Sequence, residues 1–195
     1  MAVEHLFNEP PPPRIVIDTS FLVLAVVSTP AEEQFHIECR QFLGNLARAE
    51  TALIYCTNIF LEMQVAWSRL LRRVDEDQVW AALERWYGHV APVAQWAILP
   101  ETRRLTLLRA LNRLVEDVLS LFESYEVHLS RSLIRDALVW MAAHQLRPSD
   151  ALLVAIARGT DGHIASVDGD FLKVEDWLQV WNNRIPERRS ASARP

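Results

Sequence analysis

The sequence predicts an α/β fold, a central parallel sheet covered by helices on both faces. Three observations carry this. Short β-branched or apolar runs, RIVID at 14–18, ALIYC at 52–56 and HIASV at 163–167, alternate with long stretches of helical periodicity. The segment PSDALLVAIARG, 148–159, is apolar nearly all round, as a helix buried between layers must be. Half of the 195 residues are hydrophobic and only five are glycine, which suits one compact core and leaves no glycine-rich phosphate loop.

The elements follow in order. Residues 1–13, ending in EPPPP, read as a stiff Pro-rich leader that stays outside the core. The RIVID strand closes on Asp18, and TSFLVLAVV begins a helix at Thr19 or Ser20. Phe35, Cys39, Phe42, Leu43 and Leu46 step by three or four, so 32–49 is helical. After ALIYC, Thr57 can cap a helix that places Glu62 in its first turn and arginines near its end.

From about 75 to 130 the pattern is helical, without strand signals, and broken near Pro92 and Pro100. This is the expected insertion. Leu105, Leu108, Leu111, Val115, Val118, Leu119 and Phe122 form an apolar stripe, either a packing face or a homodimer or partner surface. Trp80, Trp86 and Trp96 read as core or interface aromatics. Helix resumes over 133–145 and again from Pro148 to Gly159, which carries Asp150 in its first turn. The third strand, the acidic turn DGD and the apolar WLQVW complete a single domain over 14–182, and 183–195 forms a flexible basic tail.

Composition removes several classes. The longest apolar run, Phe21 to Val27, is far shorter than the roughly 20 residues that span a bilayer. The N-terminus lacks a basic region followed by an apolar one, so a cytoplasmic setting is expected. Two cysteines make no disulfide framework and read as buried thiols. A net charge of −5 argues against indiscriminate binding of polyanions, although Arg supplies all the cations except Lys173 and suits local phosphate contacts.

The acids carry the chemistry. In an open parallel sheet, ligands bind beyond the carboxyl ends of the strands. Asp18 closes the first strand, Glu62 opens the helix after the second, Asp150 opens a buried helix, and Asp168 closes the third strand with Asp170 beyond it. Singly, each is a helix-terminus or turn residue. Together they require a cation, because two carboxylates about 4 Å apart repel by about 4 kcal/mol at an effective dielectric near 20. Oxygen ligands without His or Cys point to Mg²⁺ or Mn²⁺, and such ions serve phosphodiester hydrolysis.

In that order, IVIDTSFLVLAV, TNIFLEMQVA, RPSDALLVAIA and IASVDGDF resemble the four acidic motifs of the PIN-domain nucleases, over residues 14 to about 181. The resemblance implies a three-layer α/β/α fold and Asp18, Glu62, Asp150 and Asp168 as catalytic residues holding Mg²⁺ or Mn²⁺. Asp170 matches a less regular fifth acid, Ser20 a small polar position, and Ser166 stands where the family usually has Thr. The implied activity is cleavage of single-stranded RNA, by a toxin whose antitoxin blocks the acidic groove or by an RNA-processing nuclease. A PIN-like binding module that has lost catalysis is the alternative. The 88-residue interval from Glu62 to Asp150 is longer than most compact members have.

Overall fold

In the computed structural model, which describes residues 1–26, 33–70 and 100–183, aliphatic runs form the inner strands, largely buried on both faces, and two partly exposed strands flank them at the edges. Strands buried on both faces need a helical layer on each side. The strands are β1 (Val3–His5), β2 (Arg14–Ile17), β3 (Ala52–Cys56), β4 (Ser124–Val127), β5 (His163–Ala165) and β6 (Gln179–Trp181). All pair in parallel, in one six-stranded sheet of order β1-β6-β5-β2-β3-β4. The helices are α1 (Thr19–Val26), α2 (Glu33–Arg48), α3 (Ile59–Leu70), α4 (Pro100–Ser120), α5 (Arg131–His144) and α6 (Pro148–Arg158), with a 3₁₀ helix at Gly169–Lys173.

Period-two alternation divides the core into two halves. Ile15, Ile17 and Leu53 pack with Phe21, Phe42, Met63 and Val115 from α1 to α4. Val16, Ile54 and Ile164 pack on the other face with α5, α6 and Phe171. The result is three layers, as the sequence predicts. Asp150 is buried at the start of α6, whose first helical residue is Pro148 and whose C-cap is Gly159.

Three expectations need correction. Residues 1–13 are not a free leader. Val3 N–H donates to the Leu178 carbonyl at 2.8 Å, and β1 adds an edge strand to β6. Phe7 is buried, stacked on Phe42 with centroids 4.5 Å apart. Prolines lack N–H groups but keep carbonyls, and those of Pro12 and Pro13 accept from Thr51 Oγ1 and Ala52 N–H at 2.8 and 2.9 Å.

The second correction lies within the expected insertion, where SYEV forms β4 against β3. An edge strand with a partly exposed face carries no alternating apolar signal. Third, Thr57 does not cap α3; its hydroxyl donates to the Val127 carbonyl at 3.2 Å and so ties β3 to β4.

The α4 stripe is resolved in favour of packing. Leu111, Val115, Val118 and Leu119 are buried, whereas Leu105 at its start is 48% exposed. The rest of the insertion, with Trp80, Trp86 and Trp96, and the basic tail beyond Asn183 lie outside the described residues. Cys39 and Cys56 are buried free thiols. Among the described residues no helix is long and apolar enough to cross a membrane.

Candidate metal centre

The strand order places β2 between β3 on one side and β5 on the other. Chain connections diverge there, which opens a crevice at the carboxyl ends of the strands. Asp18 follows β2 directly, and Asp168 lies three residues beyond the end of β5. A cleft of about 900 Å³ opens at this point, lined by Asp18, Glu62, Asp150 and Asp168 together. Asp18, Glu62, Asp150 and Asp168 therefore reach one cavity, whereas Asp170, the fifth acid singled out in the sequence, is not among its lining residues. Its walls are apolar, with Leu61 and Val65 from α3 facing Ile134 and Leu138 from α5.

Each acid is held by its own local device. Asp18 is buried, and its Oδ2 accepts from the hydroxyls of Ser20 and Ser166, the latter at 2.6 Å. Ser166 Oγ also accepts from Asp168 N–H at 2.9 Å, so one serine links the first and last acids. Glu62 accepts from Thr19 Oγ1 at 2.7 Å and from Asn58 Nδ2 at 3.2 Å. Asp168 divides its two oxygens. Oδ1 accepts from Asp170 N–H at 3.0 Å, the expected turn contact, while Oδ2 accepts from Arg147.

Asp150, Asp168 and Asp170 each present an oxygen within 4.8 Å of the others. Opposite oxygens of a six-coordinate Mg²⁺ stand about 4.2 Å apart, twice its bond length. Small side-chain rotations would close this set, and its donors are all carboxylates, the ligands that hard divalent ions prefer. This all-carboxylate set is compatible with a hard divalent cation. Asp170 thus stands with Asp150 and Asp168 in this trio, whereas Asp18 and Glu62 join Asp150 and Asp168 in lining the cleft. Asp170 is also paired with Lys173 Nζ at 2.7 Å.

The electrostatics report the crowding. Burial pushes the Asp18 carboxyl upward, the two serine hydroxyls pull it back, and the charge of Glu62 adds to the rise. Burial likewise lifts Asp150 to about 6, against the pull of Arg147 and with the push of Asp18 and Asp168. Asp18 and Asp150 thus each carry the push of a neighbouring carboxylate.

Arg147, which sequence reasoning did not single out, joins these acids. Its Nε donates to Asp150 Oδ2 at 2.9 Å and its Nη2 to Asp168 Oδ2. The signal was the Arg-Pro-Ser-Asp spacing, which puts Arg147 at the N-cap of α6. Thr19, which holds Glu62 across 43 residues, left no local signal. A scan against protein-family models finds no match for the chain, and a search of curated proteins finds none either.

Proposed function

We propose that the protein is a metal-dependent endoribonuclease that hydrolyses phosphodiester bonds of single-stranded RNA. The observation that carries this reading is the convergence of Asp18, Glu62, Asp150 and Asp168, from four separate segments, on one cleft at the switch point of the sheet. These acids, with Asp170 beside them, would hold Mg²⁺ or Mn²⁺. Such an ion, when bound, supplies an activated water and stabilises a leaving oxygen.

The chain's own residues orient the acids and receive the substrate. Ser20 and Ser166 fix the Asp18 carboxylate, and Thr19 fixes that of Glu62. The exposed side chains of Leu61, Val65, Ile134 and Leu138 offer apolar walls to bases that are not stacked in a duplex. This favours a single strand as substrate.

The test is incubation of the purified protein with unstructured RNA and Mn²⁺, with and without a chelator. Cleavage should require the ion and fall by orders of magnitude in Asp18→Asn and Asp150→Asn. Cleavage indifferent to the chelator, or an Asp150→Asn protein that cleaves like the parent, would sink the reading. RNA retention without cleavage by the Mn²⁺-loaded parent would favour the silent binding module.

A further inference from the structure

Arg147 lies outside α6 and contacts two of the three acids of the tightest cluster. Its side chain is 59% exposed, whereas that of Asp150 is 5% exposed. The cation thus reaches in from solvent to one buried carboxylate, Asp150, and to one partly exposed carboxylate, Asp168, whose side chain is 24% exposed. Its fork touches Oδ2 of Asp150 and Oδ2 of Asp168 at once, so the planar guanidinium stands across the gap between them. A hard divalent ion would need those same carboxylates, and two cations cannot share that gap without strong repulsion.

We infer that Arg147 is an exchangeable counter-ion of the acidic site, which a divalent cation displaces from Asp150 and Asp168 into the cleft mouth, where its fork can grip a substrate phosphate. This inference rests on the metal reading proposed above. Its consequence is a threshold for metal. Binding must first break the Arg147 contacts, so the apparent affinity is lower than the acids alone would give. The displacement costs little elsewhere, because an exposed arginine arm can turn into water without disturbing the core.

Mn²⁺ affinity, measured by calorimetry on the full chain, tests this without any activity assay. Arg147→Ala should bind Mn²⁺ roughly ten- to a hundredfold more tightly than the parent, the range expected from losing charge-assisted contacts that compete with the ion. Arg147→Gln should also bind more tightly. Affinity that is unchanged or weaker in both variants would make Arg147 a fixed brace and overturn the inference, while the metal centre would stand.

If neither the parent nor the variants bind Mn²⁺ at millimolar concentration, the metal reading fails and the inference falls with it. A variant that binds where the parent does not supports the inference. The unmutated protein provides a check should the variants not fold. Titration with diamagnetic Mg²⁺ should shift the Arg147 Nε–H resonance and speed its exchange with water, whereas a resonance that stays protected with Mg²⁺ bound overturns displacement.

Discussion

Asp150 is one carboxylate on a helix whose next seven residues are all buried and apolar. Its folded form holds a proton more tightly than the unfolded chain, with a carboxyl lifted from the ordinary value to about 6 by burial, tempered by Arg147 and reinforced by Asp18 and Asp168. The sign follows from linkage: stability from this proton is complete below about pH 4 and is lost as pH rises through about 6. Urea titrations of the metal-free parent and of Asp150→Asn should therefore diverge with rising pH, by up to about 3 kcal/mol in favour of the variant at neutral pH. Parallel curves would show that Asp150 titrates as an ordinary carboxylate. Ser166 offers a second test, since it donates to Asp18 and accepts from Asp168 N–H. Ser166→Ala leaves a buried carboxylate short of a donor and should cost about 1–3 kcal/mol. Under the proposed ribonuclease function, where the substrate need not touch this hydroxyl, kcat should fall more than KM rises.

Among the elements, legibility followed how local each signal was. Acids follow β2 directly and β5 within three residues, next to turn or helix-start residues, so Asp18 and Asp168 could be placed before any contact was known. Edge strands gave less. β1 is three residues long and β4 has two exposed residues of its four, so neither shows a buried alternation. Their pairing is set by partners far along the chain. Phe7 shows what that cost, because one aromatic ahead of four prolines read as leader although it packs against Phe42 and edge-on to Phe21 at 5.5 Å. Phe7→Ala should lose about 3–5 kcal/mol in chemical unfolding. A loss below about 0.5 kcal/mol, the usual range of surface changes, would return β1 to the status of a loose arm. On α4, Val115 is fully buried, so Val115→Glu should unfold the protein and leave no folded species of altered oligomeric state.

For the molecule as a whole, the acidic site is a folding problem as well as a chemical one. The sheet order that makes the switch point is also what draws Asp18, Glu62, Asp150 and Asp168 into one cleft, so assembling the fold assembles the repulsion. The sequence could announce the acids, since each stands at a strand end or helix start. It could hint at Arg147 beside Asp150, three residues on, but not at the bridge to Asp168, because that contact spans 21 residues and exists only once α6 and β5 are docked. An ion that binds this assembled cluster and not the unfolded chain must stabilise the entire domain by mass action. At Mn²⁺ about a hundredfold above its dissociation constant, the gain is about 2.7 kcal/mol, which for a chain of this size corresponds to a rise of roughly 5–10 °C in Tm. Asp150→Asn and Asp168→Asn should each remove most of that rise, and Asp161→Asn, on the exposed turn before β5, should retain it. Equal shifts in all of these proteins would mean that Mn²⁺ acts on general surface charge rather than on the cleft.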